Sequence, residues 1–378
     1  MNIFLIFHTY VVYPFLLYIL ARNKKQSFPE PKELPVVTII MSLFNEESVI
    51  AHKLDSVLNS HYPLNKIKIL IGSDNSTDDT NKIVIEYAEK FSNITFTPYT
   101  ERQGKSNVVN GLIDQSEGEI LILTDANVLF EKNTISELIK AFSDPKVGLV
   151  DTNMKNTGLR KEGISIQEKS YISREVLIKN REGILWGTMM GPFGGCFAIR
   201  KELYTPVPKN FLVDDFYICM KIIKSGYKAI NVLDAVVYED VSNNLSDEFF
   251  RKVRIATGDF QNLYEFKRML WPPFKGLGFS FMSHKVLRWI TPIFIVTSYI
   301  LALILSFNNL FYLIITICYS LVLLLPLIDY ILKKIKINNI FLRFVTHFFT
   351  MNLALLAGMF KAMKGVKSNV WKPTKRNQ

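Results

Sequence analysis

Asp125 and Asn127 stand two residues apart, directly after a run of strand-forming residues at 119–124. Alternate residues of a strand share a face, so two oxygen-bearing side chains at this spacing point the same way. Mg²⁺ and Mn²⁺ prefer oxygen ligands and are commonly bound by a few protein groups together with substrate phosphates. The pair therefore predicts a Mg²⁺ or Mn²⁺ site that neutralises a diphosphate leaving group. A simple turn, in which Asp and Asn are common, is the alternative.

Asp74 lies in the polar segment Ser-Asp-Asn-Ser-Thr-Asp at 73–78. Its carboxylate can accept a hydrogen bond from the N–H of a pyrimidine base. Acidic residues also stabilise the first turn of a helix, and this alternative explains Asp78 and Asp79. Both interpretations can hold together, with Asp78 and Asp79 capping the helix and Asp74 free for the ligand.

Two basic segments are candidates for binding phosphates. Arg-Gln-Gly-Lys-Ser-Asn at 102–107 opens a helical pattern, where Lys105 and the glycine backbone can approach a phosphate. Further along, Arg251 and Arg254 can clamp a diphosphate. The alternatives are an ordinary basic helix start at 102–107 and a basic face near a membrane surface at 251–254.

Asp214 and Asp215 are adjacent carboxylates in front of an apolar segment, 216–224, that is predicted to be helical. One of them can act as a general base that removes a proton from an acceptor hydroxyl. The alternative is acidic capping of the helix. Upstream, Gly194 and Gly195 allow the backbone to come close to a ligand, with a tight turn as the alternative.

Strand-like and helical patterns alternate through the middle of the chain. The predicted strands are 36–43, 67–72, 93–97 and 119–124, and the predicted helices are 46–60, 78–91 and 105–116. This alternation predicts an α/β fold with a Rossmann-like, mostly parallel sheet covered on both faces. Ligands bind beyond the carboxyl ends of such strands, where Asn45, Glu46, Asp74 and Asp125 are expected. The chain has no Gly-x-Gly-x-x-Gly after the first strand and no Walker loop, which disfavours dinucleotide enzymes and P-loop ATPases.

Apolar residues concentrate at the two ends of the 378-residue chain. Residues 1–22 predict a retained transmembrane helix, because the basic residues follow the apolar stretch and no cleavage site is evident. Residues 289–328 carry no charge, and they predict a transmembrane hairpin with helices at 288–307 and 310–330. The uncharged stretch 344–360 is shorter, and spanning, re-entrant, interfacial and buried soluble helices all remain open for it.

The net charge of +11 arises largely beside the apolar segments. This placement indicates anionic membrane lipids as the partner and not nucleic acid. Lys and Arg bias then predicts a multi-pass protein of the inner, cytoplasmic membrane with residues 22–285 on the cytoplasmic side. The three cysteines show neither metal-ligand spacing nor an even framework.

The order of these segments resembles the family 2 inverting glycosyltransferases, which have the GT-A fold, and the membrane segments are arranged as in chitin, hyaluronan, cellulose and poly-N-acetylglucosamine synthases. The resemblance runs from about Val36 to Gly258. The matching segments are Phe-Asn-Glu-Glu at 44–47, Ser-Asp-Asn-Ser-Thr-Asp at 73–78, Arg-Gln-Gly-Lys at 102–105, Asp-Ala-Asn at 125–127, Gly-Gly at 194–195 and Asp-Asp at 214–215.

The resemblance implies a hexosyltransferase that uses a nucleotide-sugar donor, with UDP as the expected nucleotide. It implies Asp215 as catalytic base and Asp125 and Asn127 as metal ligands. The implied donor-binding residues are Asn45, Glu46, Asp74, Lys105, Asp125, Arg251 and Arg254, and the implied acceptor-binding residues are Gly194, Gly195 and Asp214. A glycan or a lipid-linked molecule is the expected acceptor, while the sugar, the linkage and the oligomeric state are not predicted.

Two positions depart from the family pattern. Asn127 supplies a neutral oxygen where the metal motif ends in Asp. Processive members carry Gln-x-x-Arg-Trp, and here Arg251 and Ile255 replace its first and last residues while Arg254 is kept. A degenerate, non-catalytic membrane scaffold and a nucleotidyltransferase are the competing functions.

The predicted organisation has five parts. They are a transmembrane helix at 1–22, a cytoplasmic GT-A domain at 33–265, an interfacial segment at 266–288, a transmembrane hairpin at 288–332, and a third membrane-associated segment with a basic tail at 340–378.

Overall fold

The computed structural model describes residues 1–158, 164–240 and 244–366. The helices are α1 (Asn2–Ala21), α2 (Ile50–Leu58), α3 (Thr80–Lys90), α4 (Lys105–Asp114), α5 (Thr134–Ala141), α6 (Ser165–Trp186), α7 (Asp214–Lys224), α8 (Leu245–Phe266), α9 (Gly276–Trp289), α10 (Thr291–Ser306), α11 (Leu310–Lys334) and α12 (Ile340–Met363). The strands are β1 (Val37–Leu43), β2 (Ile67–Asp74), β3 (Ile94–Tyr99), β4 (Ile120–Thr124), β5 (Val128–Phe130), β6 (Val147–Thr157), β7 (Cys196–Arg200) and β8 (Lys228–Asp240). The basic tail beyond residue 366 lies outside the described residues.

The described strands form one sheet in the order β3-β2-β1-β4-β7-β6-β8-β5. The first four run parallel, as the alternating pattern predicts. Strand β7 is antiparallel to both β4 and β6, and β5 is antiparallel to β8. The α/β prediction is therefore confirmed, and the second half of the sheet is mixed.

Apolar side chains cover both faces of the sheet, because successive residues of a strand point to opposite sides. In β1, Ile39 and Met41 join a buried cluster that includes residues of α2 and α5. Ile40 points the other way, into a second cluster with residues of α4 and α7. Each fully buried side chain of this size contributes on the order of 1.5–3 kcal/mol. This burial fixes the helices that carry Lys105 and Asp215.

Three helices, α1, α11 and α12, are long and apolar enough to cross a membrane, judged by length and composition within the described ranges. The predicted hairpin corresponds to α10 and α11, and the Oδ1 atom of Asn309 caps α11 by accepting a hydrogen bond from the backbone N–H of Phe311 at 2.9 Å. Helix α10 has 16 residues, which span only roughly 24 Å. It reaches spanning length only together with α9, from which it is bent by 61°.

Helix α12 contains the stretch 344–360 as one continuous helix that packs on α6 and α8. His347 Nε2 lies 2.6 Å from Glu168 Oε1 on α6. Gly358 lies against α8, where a Cβ atom on it would meet the backbone N of Thr257 at 2.9 Å. One face of α12 therefore packs against α6 and α8, while side chains such as Leu353 are exposed.

We predict that Gly358→Val loosens the contact between α12 and α8. The added side chain has no space beside Thr257, and overpacking of this kind costs roughly 1–3 kcal/mol. Thermal unfolding of the detergent-solubilised protein should occur at a lower temperature than for wild type. Leu353→Val is the matched control, because it places the same residue on the exposed face of the same helix. Equal unfolding temperatures for both variants would contradict this packing.

Candidate active site

A cavity of about 600 Å³ opens at the carboxyl ends of β1, β2 and β4. All the site residues predicted from sequence line it except Asn45 and Asn127; they are Glu46, Asp74, Lys105, Asp125, Gly194, Gly195, Asp214, Asp215, Arg251 and Arg254. The opposite side is lined by residues of the membrane-associated helices, namely Tyr10, Lys285, Arg288, Trp289, Phe344, His347, Phe348, Met351, Asn352 and Leu355. The cavity therefore joins a polar sheet edge to an amphipathic wall.

Asp74 ends β2 and holds the loop before α4. Its Oδ1 atom accepts a hydrogen bond from the backbone N of Gln103 at 2.6 Å, and its Oδ2 atom accepts one from Gly104 N at 3.0 Å and one from Arg102 Nε at 3.0 Å. The Arg102 guanidinium in turn stacks on Phe44 at 3.3 Å. The Asp74 carboxylate is therefore not free as expected, although the residue lines the cavity and its contact with a donor stays a prediction.

Asn45 lies outside the cavity lining and joins two strand-end loops. Its Oδ1 atom accepts a hydrogen bond from Thr77 N at 2.8 Å, and its backbone N–H donates to Ser76 Oγ at 3.2 Å. Its φ of 54° is a left-handed conformation that Asn tolerates well. Asn45 therefore shapes the loop, and its contact with the donor stays a prediction, while Glu46 lines the cavity.

Asp125 follows β4 and forms an ion pair with Lys105, whose Nζ lies 2.7 Å from Asp125 Oδ1. Burial opposes the charge on this ammonium, but the carboxylates of Asp125, Asp214 and Asp215 outweigh that effect and raise the pKa of Lys105. Lys105 is therefore a permanent cation beside the position expected for the diphosphate.

Lys53, whose role was not predicted from the sequence, supports the same turn from beneath. Its side chain is fully buried and donates to Thr124 Oγ1 at 2.9 Å and to the carbonyl of Val128. Burial lowers the pKa of Lys53 to about 7. The one signal in the sequence is a lysine on the face of α2 that also carries Ile50, Leu54 and Val57.

Asn127 lines a smaller cavity of about 280 Å³, which shares Asp240 with the larger one. Its Nδ2 atom donates to Glu239 Oε1 at 2.9 Å. Its Oδ1 atom is buried and accepts no hydrogen bond from the residues that the structure describes. This orphaned oxygen and the Asp125 carboxylate are donors of the type that Mg²⁺ and Mn²⁺ prefer. Within the described ranges there is no metal-binding cluster of three or more His, Cys, Asp or Glu side chains, so the fit requires phosphate oxygens as further ligands.

Asp214 and Asp215 form the first turn of α7, and the Oδ1 atom of Asp215 accepts a hydrogen bond from Phe216 N at 2.8 Å. Withdrawal from bulk water and the neighbouring Asp214 carboxylate raise the pKa of Asp215 to about 6. Gly194 lies directly against this carboxylate, since a Cβ atom there would stand 2.5 Å from Asp215 Oδ2. A base with this pKa is suited to accept a proton near neutral pH.

The turn that contains Gly194 and Gly195 is fixed by a buried ion pair that sequence reasoning also missed. Asp151 accepts a hydrogen bond from Phe193 N at 2.9 Å, and Lys179 Nζ lies 2.6 Å from its other oxygen. The carbonyl of Gly195 accepts the backbone N–H of Asp125 at 2.9 Å. The glycine turn and the Asp125 turn are therefore bonded to each other.

Arg251 and Arg254 reach the cavity from α8. Arg251 forms two bonds to Glu248, at 2.9 and 3.0 Å, so its guanidinium is already engaged with protein carboxylate. Burial and the Arg251 charge lower the pKa of Arg254, while the carboxylates of Asp214, Asp125 and Asp215 act in the opposite direction. Arg254 is thus the arginine of this pair that faces the acidic centre of the cavity.

Residues 38–205 match the family described as Glycosyl transferase family 2. The chain is 31% identical over 172 residues to the beta-monoglucosyldiacylglycerol synthase of Nostoc sp., which covers 45% of this chain and 37% of that protein. It is 23% identical over 290 residues to the poly-beta-1,6-N-acetyl-D-glucosamine synthase of Staphylococcus epidermidis, with 75% of this chain and 68% of that protein covered. The chain spans less than half the length of the curated relatives that it matches at 28–34% identity.

A likeness of fold extends over nearly the whole chain. The mannosyltransferase PcManGT of Pyrobaculum calidifontis, solved in complex with GDP-Man and Mn²⁺, aligns with a TM-score of 0.72 at 24% sequence identity. The alignment covers 96% of this chain and 97% of that one. Residues 38–205 thus belong to a family 2 glycosyltransferase domain, and the fold of the chain is GT-A.

Proposed function

We propose that the chain is a membrane-bound inverting glycosyltransferase that transfers a sugar from a nucleotide-sugar donor, with UDP as the expected nucleotide, to a glycan or lipid-linked acceptor. The observation that carries this proposal is the single cavity in which Asp125, Lys105 and Asp215 meet side chains of the membrane-associated helices. The cavity offers a cation for a diphosphate, a carboxylate that can act as a general base, and an amphipathic wall for an acceptor.

Asp215 is the proposed base of a single displacement. It accepts the proton of an acceptor hydroxyl while that oxygen bonds to the anomeric carbon of the donor sugar. The bond from that carbon to the diphosphate breaks, and the nucleoside diphosphate leaves with the electron pair. Attack on the face opposite the leaving group inverts the anomeric configuration. Gly194 keeps the approach to Asp215 open, because any side chain there would occupy it.

Lys105 is the proposed cation for the leaving diphosphate, together with Arg254. Asp125 and Asn127 are the residues that would hold Mg²⁺ or Mn²⁺, through a carboxylate and an amide oxygen. When bound, such an ion stabilises negative charge on the diphosphate. Lys53 keeps the turn that carries both ligands in place by its bonds on either side of it.

The wall contributed by Phe344, Phe348, Met351 and Leu355 supports a membrane-resident acceptor. Apolar side chains that line a binding cavity favour an apolar portion of the ligand. We place the protein in the inner, cytoplasmic membrane with the domain at 33–265 on the cytoplasmic side, since the basic residues flank the apolar segments. The nucleotide sugar then reaches the cavity from the cytoplasm, and the acceptor reaches it from the membrane.

We predict that purified protein in nanodiscs of bacterial lipid releases a nucleoside diphosphate from one member of a panel of UDP- and GDP-sugars. Asp215→Asn should reduce transfer by about 10²–10⁴-fold, because the amide cannot accept the proton, and should leave donor binding unchanged. Nucleotide release and mass spectrometry of the product measure transfer, and calorimetry with UDP measures binding. Transfer by Asp215→Asn at the wild-type rate would reject Asp215 as the base, whereas no transfer by the wild-type protein from any donor would favour the non-catalytic scaffold.

We predict that Gly194→Ala lowers kcat at least tenfold while donor affinity is retained, since the new methyl group displaces the Asp215 carboxylate. Steady-state kinetics with a saturating donor provides the measurement. Gly276→Ala is the control, because a Cβ atom there meets no atom closer than 3.8 Å. Full activity in Gly194→Ala would show that the base does not lie against this turn in the working enzyme.

We predict that kcat/KM for the acceptor falls about tenfold per pH unit below pH 6, where Asp215 becomes protonated. The Asp214 charge raises the pKa of Asp215, so Asp214→Asn should move this acid limb to lower pH. A pH–rate profile of each variant tests the sign of the shift. Asp234→Asn removes a charge at an exposed position and should leave the limb where it is; an equal shift in both variants would argue against local coupling.

A further inference from the structure

Asp259 is a carboxylate in the cavity for which the mechanism above has no use. It lies on α8, one turn after Ile255, and lines the same cavity as Asp215. The residue is only 9% exposed. Its carboxylate makes no hydrogen bond or ion pair with any residue in the described ranges. A buried carboxyl group without partners costs stability, so its presence in a binding cavity points to a ligand.

The charged groups that act electrostatically on Asp259 lie on four helices. They are Asp215 on α7, Lys252 on α8, Glu175 on α6 and Lys285 on α9. Burial, opposed by Lys285 and reinforced by Asp215, raises the pKa of Asp259 to about 7. Both protonation states of this carboxyl group are therefore accessible near neutral pH, and both can accept a hydrogen bond.

The cations around Asp259 are engaged with other carboxylates. Lys285 Nζ lies 3.3 Å from Glu175 Oε2, and Lys252 Nζ lies 3.6 Å from Glu168 Oε2. Lys179, which also lines the cavity, is paired with Asp151 at 2.6 Å. Each of these lysines therefore has a carboxylate partner, and Glu175 is shared with Arg288.

We propose that Asp259 is an acceptor-positioning residue that accepts a hydrogen bond from a hydroxyl of a sugar headgroup in the acceptor. The inference rests on the proposed function and specifies its acceptor as a glycoside with an apolar aglycone. The hydroxyl bound by Asp259 is a neighbour of the one that Asp215 deprotonates. It orients the headgroup while the apolar wall of α12 takes the aglycone.

The carboxyl groups of Asp214, Asp215 and Asp259 distinguish between a sugar hydroxyl and a phosphate as the nucleophile. A hydroxyl needs a base to remove its proton and can donate to a carboxyl group. A phosphate monoester is already anionic near neutral pH and gains nothing from a base. The carboxylates of Asp214, Asp215 and ionised Asp259 repel it, in opposition to the attraction of Lys285 and Arg288. The three carboxyl groups therefore favour the glycoside.

The test compares Asp259→Ala and Asp259→Asn with the control Asp234→Asn, which removes a carboxylate at an exposed position of β8. The probes are dodecyl β-D-glucoside, its monodeoxy analogues and dodecyl phosphate, each in nanodiscs with the donor identified by the panel. Donor hydrolysis without acceptor serves as a measure of intact folding and donor binding.

Asp259→Ala should raise KM for dodecyl glucoside roughly tenfold, the effect of losing one buried hydrogen bond, with kcat changed less than threefold. Asp259→Asn should recover most of this loss, because its amide oxygen still accepts. One monodeoxy analogue should raise KM for the wild type and have no further effect on Asp259→Ala. Donor hydrolysis should be unchanged in all variants.

An unchanged KM for dodecyl glucoside in Asp259→Ala would overturn the role of Asp259 and leave the proposed function standing. Preferential glycosylation of dodecyl phosphate would overturn the assignment of the acceptor class. If wild-type protein releases no nucleoside diphosphate from any donor, the proposed function itself fails, and the inference fails with it.

Discussion

Strand β7 enters the sheet between β4 and β6, and its antiparallel pairing brings Cys196 opposite Thr124. Just beyond this pair, where β4 ends and β7 begins, the backbone N–H of Asp125 donates to the carbonyl of Gly195 at 2.9 Å. Gly194, next in that turn, lies against the Asp215 carboxylate. Backbone bonds thus set the separation between the strand end proposed for the diphosphate and the proposed base. Such bonds hold a geometry more rigidly than side chains alone do.

Helix α8 packs against both the start of α7 and the membrane-associated helix α12. On one side Gly258 packs against Val213, and Asn262 Nδ2 donates to the carbonyl of Val213 at 3.0 Å, which fixes the start of α7. On the other side Gly358 of α12 packs on the backbone of α8. A second link joins α1 to α6, where Tyr13 donates to Glu182 at 2.6 Å. The membrane-associated helices are therefore part of the framework that positions the cavity.

The sequence predicted the strand ends well because parallel strands place their carboxyl ends together, and Asp74, Asp125 and their neighbours follow such strands. It could not predict what those side chains contact. Asp74 is bound by backbone donors 29 and 30 residues away, and Asn127 faces Glu239 across 112 residues. Lys53 and the Asp151–Lys179 pair were missed for the same reason, since their partners are remote in sequence. The antiparallel insertion of β7 likewise leaves no periodic signal in its five residues.

Two surfaces of the cavity favour ligands of different polarity. The sheet edge presents Lys105 and backbone donors of the loop before α4, which suit a charged, water-soluble nucleotide. The far wall presents aromatic and aliphatic side chains of α12, which suit an apolar chain. Asp215 lines the same cavity as both surfaces, so in the proposed reaction an amphipathic acceptor can present its hydroxyl to Asp215 while its apolar end lies against α12. A water-soluble acceptor would leave that wall uncovered and forfeit its binding free energy. The position of α12 therefore supports the proposed preference for amphipathic acceptors, independently of which sugar is transferred.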